Sequence, residues 1–328
     1  MNYVHAVIVR RTQNSLGKSI AGIQLELKGY FRDFSLSGSD GFDPFDYHSG
    51  ACSEDDFLMK RRILVTGGAG FIGSNVVDLL VEHEFDVVIV DNFVTGKVEN
   101  INPKARVYNC DVGDEAFREI VRQEKPDCVI HHAAQIDVQT SIRKPEFDAE
   151  VNIVASINVL EACRLNGVRK VIYASSAALY GDPLYLPVDE DHPPLATSPY
   201  GISKYVVEHY LAMYNRLYGL NFTVLRYANV YGPRQNPLGE GGVIAIFSNR
   251  ILSGKSCIVY GNGEQTRDFV YVEDVARANL LAIDRADNAV INVSSGTEVR
   301  VNSLLDVMKN VFGHDVEVEY APARPGEI

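Results

Sequence analysis

From Lys60 onward, short runs of apolar residues alternate with stretches of helical periodicity, and this alternation constrains the fold most strongly. The first apolar run is Ile63-Leu64-Val65, and a helical pattern over 71–83 separates it from a second run at 86–90. Further strands are predicted at 105–110, 128–131 and 170–175, and further helices at 115–124 and 146–166. Continuous apolar strands separated by helices are typical of a parallel sheet covered on both faces. We therefore predict an α/β fold with a doubly wound parallel sheet.

Residues 1–58 lack sustained periodicity and are rich in Ser, Gly and Asp between Ser35 and Asp56. Such composition is typical of disordered segments. The segment is either a genuine extension, which could serve as a regulatory or partner-binding arm, or a stretch translated ahead of a start at Met59; we favour the second interpretation. We assign 59–328 to one domain with a smaller mixed α/β substrate lobe, built mainly from about 182–199, 232–267 and 290–328.

The charge balance and the cysteines exclude several classes of protein. Lys and Arg number 31 against 43 Asp and Glu, a net charge of −12, which argues against binding to nucleic acid. No run of about 18 apolar residues occurs, so we expect no membrane-spanning helix. The five cysteines are scattered without metal-ligand or redox spacing, so we expect reduced thiols in a cytoplasmic protein. The adjacent His131 and His132 point apart on a strand end, so we expect structural roles and no metal site.

Three glycines follow the first strand and open the first helix: Gly67, Gly70 and Gly73. Glycines here allow a tight turn and bring bare backbone against a pyrophosphate, while the helix N-terminus adds N–H donors. Asp91 ends the next strand, where a carboxylate can accept both hydroxyls of a ribose and would repel a 2′-phosphate. The pattern favours NAD over NADP; the alternative is an ordinary turn followed by an unrelated strand-end Asp.

Tyr200 and Lys204 lie four residues apart, one helical turn, so their side chains share a face of the predicted helix. A phenol has a pKa of about 10, and a neighbouring ammonium favours its ionised form. The sequence therefore predicts that Lys204 lowers the pKa of Tyr200, which then accepts a proton from a substrate hydroxyl. The alternative is a surface pair without chemistry. The hydroxyls of Ser175 and Ser176 stand upstream, at the carboxyl edge of the predicted sheet.

The Gly-x-x-Gly-x-x-Gly and Tyr-x-x-x-Lys motifs together resemble the extended short-chain dehydrogenase/reductase family. The stretch 226–235, RYANVYGPRQ, is similar to its nucleotide-sugar branch. This resemblance implies a Rossmann fold, an NAD cofactor and the catalytic residues Ser176, Tyr200 and Lys204, with Ser175 as the alternative hydroxyl. The implied cofactor-binding residues are Gly67, Gly70, Phe71, Ile72, Gly73, Asp91, Asn92, Asp111, Val112, Ala133, Ala134, Asn152, Tyr200 and Lys204. The implied substrate-binding residues are Ser176, Asn229, Val243, Tyr260, Arg267 and Arg324.

The residues after the catalytic hydroxyl distinguish the reactions of this branch. Sugar dehydratases resemble Thr-Asp-Glu there, whereas this chain has Ser176-Ala177-Ala178 and no added carboxylate. The resemblance therefore implies an NAD-dependent isomerase that inverts C4 of a UDP-linked hexose, UDP-glucose or UDP-galactose, through a 4-keto sugar. A nucleotide-sugar dehydratase or decarboxylase is the alternative. A non-catalytic NAD-binding regulatory protein is the alternative of a different class, but it would typically have lost Tyr200 or Lys204.

The resemblance also implies a homodimer formed through the helices at about 146–166 and 200–218, which are long and rich in Ala, Val and Leu. Relatives continue for a few helices beyond the match at Arg324-Pro325-Gly326-Glu327, so we expect a truncated C-terminus. The missing part would carry a pocket-wall residue that distinguishes glucose from N-acetylglucosamine substrates. The sequence therefore leaves that choice open.

Overall fold

The structure is a computed structural model, and it describes residues 60–238, 242–313 and 315–323. The predicted extension at 1–58, the predicted start at Met59 and the predicted diphosphate ligand Arg324 lie outside the described residues.

A seven-stranded parallel sheet forms the centre of the described protein, with the order β3-β2-β1-β4-β5-β6-β11. Its strands are β1 (Arg62–Thr66), β2 (Asp86–Asp91), β3 (Arg106–Asn109), β4 (Cys128–His131), β5 (Lys170–Ser176), β6 (Asn221–Tyr227) and β11 (Ala289–Val293). The strand order reverses between β1 and β4, so a crevice opens at their carboxyl ends, where open α/β sheets bind ligands. The predicted doubly wound fold is confirmed.

Helices cover both faces of this sheet. The described helices are α1 (Phe71–Glu82), α2 (Glu115–Glu124), α3 (Val138–Arg143), α4 (Pro145–Ala149), α5 (Ala155–Leu165), α6 (Pro199–Tyr218), α7 (Val243–Leu252), α8 (Val272–Ala282) and α9 (Val301–Phe312). On β1, Leu64 packs in one core cluster with residues of α2, α5 and α6, while Ile63 and Val65 pack in another with residues of α1 and α8. Burial of alternate residues on opposite faces explains why the strands are apolar throughout. None of the described helices has the length and apolar character to cross a membrane.

The helix predicted at 146–166 is interrupted in the structure. A π-helical turn, Glu150–Val154, separates α4 from α5. Within this region Asp148 and Asn152 turn inward and are almost completely buried. The periodicity of the sequence does not reveal such a turn, because both residues are polar and are normally assigned to a helix surface. The short helix α3 before this region was not predicted.

The smaller lobe is built from paired short strands and a core cluster of its own. Its strands are β7 (Asn229–Tyr231), β8 (Cys257–Tyr260), β9 (Thr266–Arg267), β10 (Phe269–Tyr271), β12 (Val299–Arg300) and β13 (Val318–Ala321). They pair as β7 with β10, β8 with β13 and β9 with β12. The predicted lobe differs at three boundaries. Its second segment was placed over 232–267, but β7 precedes it and β10 follows it. Its third segment was placed from 290, but β11 pairs with β6 in the central sheet. The apolar β11 sequence supplies a seventh strand of that sheet.

Candidate active site

The three glycines form a turn that approaches neighbouring backbone closely. Gly67 has φ of +68°, and a Cβ there would lie 2.8 Å from the backbone nitrogen of Ala133. A Cβ on Gly73 would lie 2.2 Å from the carbonyl oxygen of Gly67. At Gly70, by contrast, a Cβ would meet nothing within 4 Å except that same carbonyl oxygen, at 3.2 Å. The turn is therefore closed on two sides and open beside Gly70, at the N-terminus of α1.

The ends of β2 and β3 bring three predicted cofactor ligands together. The Asp91 carboxylate is buried and accepts hydrogen bonds from the backbone nitrogens of Ala69 and Phe93, both at 2.9 Å. Asn92 is exposed, and its Nδ2 donates to Asp111 Oδ2 at 2.7 Å. These contacts join the glycine turn to the ends of two strands. Val112 is the fourth residue predicted to bind the cofactor here, but its side chain is buried in the core. Its carbonyl accepts a hydrogen bond from Asn158.

The loop after β4 packs against the glycine turn. The nitrogen of Ala133 lies 3.2 Å from Thr66 Oγ1, and Ala134 is half-buried beside it. The two histidines before them are held by hydrogen bonds: His131 contacts Thr66 and Ser156, and His132 contacts Tyr227. Burial lowers the pKa of each histidine to about 3, so both rings are neutral near pH 7. Within the described ranges, no group of three His, Cys, Asp or Glu side chains could hold a metal ion.

The side chain of Asn152 binds the main chain of the loop after β4 through two hydrogen bonds. Its Oδ1 accepts from the nitrogen of Gln135 at 2.8 Å, and its Nδ2 donates to the carbonyl of Gln135 at 2.9 Å. The same Nδ2 lies 3.0 Å from Asp148 Oδ1 and 3.2 Å from Ser203 Oγ. Asn152 is only 1% exposed, so it fixes the backbone beside Ala134 from within the protein.

The structure distinguishes the two candidate hydroxyls at the end of β5. Ser175 is buried, and its Oγ donates to Glu208 Oε1 at 2.5 Å, where Glu208 is paired with Arg226. Ser176 is partly exposed, and its Oγ accepts from the nitrogen of Ala178 at 3.2 Å. Successive residues of a strand face opposite sides. The hydroxyl of Ser176, and not that of Ser175, therefore faces the crevice.

Tyr200 and Lys204 lie in the first turns of α6, which begins at Pro199 with Ser198 as its N-cap. The hydroxyl of Tyr200 is hydrogen-bonded to the side chain of Ser176. Lys204 is 4% exposed, and its Nζ donates to the carbonyl of Ala174 at 2.9 Å. The predicted catalytic residues thus meet at the carboxyl end of β5.

The electrostatics of Tyr200 differ from the prediction. Burial raises its pKa to about 12, the hydrogen bond with Ser176 lowers it, and the charge of Asp148 raises it. The Lys204 ammonium is hydrogen-bonded to the carbonyl of Ala174, and it does not offset the rise that burial causes in the pKa of Tyr200. Burial also lowers the pKa of Lys204 to about 8, although the negative charge of Asp148 raises it.

The predicted substrate ligands lie on the short strands of the lobe. The nitrogen and Nδ2 of Asn229 both donate to the carbonyl of Asp268, the residue after Arg267, at 3.0 and 3.1 Å. Gln265 Nε2 donates to the carbonyl of Tyr260 at 2.8 Å, which ties β8 to the same segment. Val243 is the first residue of α7 and packs against the lobe core.

An NAD molecule fits the residues present at the carboxyl edge of the sheet. The open side of Gly70, where a side chain would occupy the space, adjoins the free N-terminal amides of α1, which has no acidic residue in its first turn. A helix N-terminus of this kind suits a pyrophosphate. The main-chain nitrogens of Phe71 and Ile72 lie in this first turn. The carboxylates of Asp91 and Asp111 lie at the adjacent strand ends, as an adenosine half would require.

Two functional candidates, Asp148 and Glu208, were not predicted from the sequence. Asp148 is buried, and Gln135 Nε2 donates to its Oδ1 at 2.8 Å. Glu208 forms a buried pair with Arg226, with 2.7 Å between Oε2 and Nη2. The sequence holds one signal for Asp148, its position four residues before Asn152 on a helix, but nothing in the local pattern shows that this face turns inward.

Comparisons with known proteins agree with this geometry. The NAD dependent epimerase/dehydratase family matches residues 63–294. A putative UDP-glucose 4-epimerase of Methanocaldococcus jannaschii is 50% identical over 267 residues, which cover 81% of this chain and 87% of that protein. A UDP-N-acetyl-alpha-D-glucosaminuronate decarboxylase of Bacillus cytotoxicus is 36% identical, with 80% and 84% covered.

Solved structures extend the similarity. A UDP-glucose 4-epimerase of Thermotoga maritima, crystallised with UDP-glucose, has a TM-score of 0.80 and 48% identity, with 81% of this chain and 87% of that chain covered. A UDP-N-acetylglucosamine 4-epimerase of Methanobrevibacter ruminantium, in complex with UDP-N-acetylmuramic acid, has a TM-score of 0.79 and 39% identity, with 82% and 88% covered. The matching sequence, fold and cofactor turn confirm the predicted resemblance and the predicted NAD dependence, and this chain belongs to the NAD dependent epimerase/dehydratase family.

Proposed function

We propose that this enzyme inverts C4 of a UDP-linked hexose, interconverting UDP-glucose and UDP-galactose through a transient 4-keto sugar. The observation that carries the proposal is the hydrogen bond between the Tyr200 and Ser176 hydroxyls, with Lys204 one helical turn away and no carboxylate in the two residues after Ser176. The similarity to enzymes named UDP-glucose 4-epimerase supports it.

In this mechanism Tyr200 removes the proton of the sugar 4-hydroxyl, and Ser176 hydrogen-bonds the same oxygen. When bound, NAD supplies the two-electron oxidation and re-reduction of C4 and a positive charge that favours the Tyr200 phenolate. That contribution is needed because the pKa of Tyr200 is otherwise raised to about 12, mainly by burial. Lys204, one helical turn further along α6, remains largely protonated below its pKa of about 8.

The short side chains after Ser176 favour epimerisation over elimination. Loss of water from the sugar requires an additional acid and base next to the keto carbon, and Ala177 and Ala178 provide neither. The 4-keto sugar then has to present its other face before the proton returns from Tyr200.

The lobe would hold the nucleotide while the sugar turns. Arg267 and Arg324 would provide forked donors for a diphosphate, and Asn229 is hydrogen-bonded to Asp268, the residue after Arg267. The ring of Tyr260, at the end of β8, would pack against the uracil base. Val243, the first residue of α7, would contact the nucleotide from the helix. The hydrogen bonds from Asn229 to Asp268 bring Asn229 close to Arg267, which supports these roles for the lobe.

The test is to incubate purified protein with UDP-galactose, without added NAD, and to follow the sugar by NMR. We expect UDP-glucose to accumulate until the two hexoses reach equilibrium. Parallel incubations with UDP-N-acetylglucosamine and UDP-glucuronate identify the preferred sugar. A dehydrated or decarboxylated product in place of the C4 epimer would contradict the proposal, and cofactor binding without any turnover would indicate a regulatory protein.

We also propose that the enzyme is a homodimer formed through α4–α5 and α6. These helices expose apolar side chains that a partner could cover, including Phe147, Val154, Ile202 and Leu217. Exposed apolar patches of this kind mark protein interfaces. Sedimentation velocity should give twice the mass of one chain; a monomer at micromolar concentration would contradict this proposal.

A further inference from the structure

Asp148, which lies beside the catalytic helix, is an ionisable group that the mechanism above does not use. It belongs to α4 and is 1% exposed. Burial of a carboxylate is costly unless the charge is compensated, so a buried Asp requires an account of its partners.

Its hydrogen bonds join the cofactor side of the site to the catalytic helix. Asp148 Oδ1 accepts from Gln135 Nε2 at 2.8 Å and from Asn152 Nδ2 at 3.0 Å. Asn152 Nδ2 also contacts Ser203 Oγ, which in turn donates to the carbonyl of Tyr200 at 3.0 Å. One buried carboxylate therefore reaches both the loop after β4 and the first turn of α6.

The two donors to Asp148 are neutral amides, and they leave its negative charge uncompensated. The buried cation of the region is Lys204, on α6, and the negative charge of Asp148 favours its protonated form. The other titratable groups around Lys204 do not carry a compensating charge near pH 7. His131 and His132 on β4 are neutral, and burial raises the pKa of Tyr200 on α6 to about 12. Burial also raises the pKa of Tyr173 on β5, whose ring centroid lies 5.1 Å from Nζ. The charge of Glu208, four residues further along α6, is paired with that of Arg226.

We propose that Asp148 is a positioning residue that keeps Lys204 protonated and, through Asn152, holds the loop after β4 against α6. The proposal rests on the proposed function, in which a protonated Lys204 stands near Tyr200. Without the carboxylate, burial would favour the neutral amine, and Lys204 would lose its proton close to physiological pH.

The test uses Asp148→Asn, which retains an oxygen acceptor for Gln135 and Asn152 but removes the charge. The matched control is Glu150→Gln, which removes an exposed charge two residues along the same segment. Lysine ¹³Cε NMR titration of the NAD-saturated protein reports the Lys204 midpoint, and the signal is identified by its loss in Lys204→Met. We expect the midpoint to fall by about one pH unit in Asp148→Asn and to stay unchanged in Glu150→Gln.

The pH profile of kcat/KM provides the second readout. Its alkaline limb should move to lower pH in Asp148→Asn by the same amount, and Asp148→Glu, which restores the charge, should return it toward the original position. A lower maximal rate with an unmoved alkaline limb and an unmoved NMR midpoint would overturn the proposal, since this is the result of a purely structural role.

Asp148→Ser provides a second neutral variant if Asp148→Asn does not fold. If the unmodified enzyme fails to epimerise a UDP-hexose, the proposed function fails, while the NMR midpoint still tests Asp148.

Discussion

The cofactor half and the substrate lobe position their predicted ligand-binding residues by different means. In the cofactor half, the ligands follow continuous buried strands, and β1, β2, β4 and β5 are almost completely covered. In the lobe, the ligands lie on strands of two to four residues with partly exposed side chains, as at Asn229 and Arg267. Under the proposed function, the buried half carries the chemistry and the lobe recognises the nucleotide, so variants in each should affect different kinetic constants.

The largest expected effect is that of Tyr200→Phe, which removes the proton acceptor from the cofactor half. We expect kcat to fall by about 10³-fold, with binding of UDP measured by calorimetry unchanged. The control is Tyr205→Phe on the same helix, outside the Ser176 contact, which should retain the original rate. Sugar inversion at the original rate in Tyr200→Phe would contradict the mechanism.

Next is the pair of adjacent serines, which tests whether the face of β5 determines the catalytic hydroxyl. Ser176→Ala should lower kcat by about 10²-fold at unchanged stability. Ser175→Ala should leave kcat nearly unchanged but lower the free energy of unfolding by about 1–2 kcal/mol, because Glu208 loses a donor. The reverse result would assign catalysis to Ser175. Denaturant unfolding and steady-state kinetics on both variants distinguish the two.

In the lobe, Arg267→Gln should raise KM for the UDP-sugar by about 10- to 100-fold with little change in kcat. Arg300→Gln is the control, since Arg300 is exposed on the strand paired with that of Arg267. A fall in kcat without a change in KM would contradict the assignment of nucleotide recognition to the lobe and of chemistry to the cofactor half. Initial rates over a range of UDP-galactose concentrations provide the measurement.

The smallest expected effect concerns the glycine turn. It distinguishes the free-energy cost of a side chain at positive φ from the cost of a steric clash. Gly67→Ala and Gly254→Ala both place a side chain at positive φ, and each should lower the free energy of unfolding by about 1 kcal/mol. Gly254 has nothing within 4 Å, whereas a Cβ on Gly67 collides with the backbone of Ala133. We therefore expect a further loss of about 1–2 kcal/mol and weaker NAD binding for Gly67→Ala alone. Equal losses would show that the close approach of Ala133 is unimportant.

The sequence predicted the cofactor half more completely than the lobe. The strand, glycine turn and helix from Arg62 to Glu82 are encoded by adjacent residues, so local periodicity and turn chemistry are sufficient to place them. The boundary of the lobe at 290 was placed too early, because an apolar segment does not reveal which sheet it joins. The pairing of β11 with β6 depends on a contact between distant parts of the chain.

The sequence by itself determined the alternation of strands and helices, the glycine turn and the Tyr200–Lys204 pair, because each depends on residues within one or two turns of one another. Only the tertiary structure decided that Ser176 and not Ser175 faces the crevice, that Asp148 is buried near Lys204, and that burial dominates the pKa of Tyr200. The physical reason is that burial and electrostatic fields are set by segments far apart in the chain, which meet only when the sheet has formed.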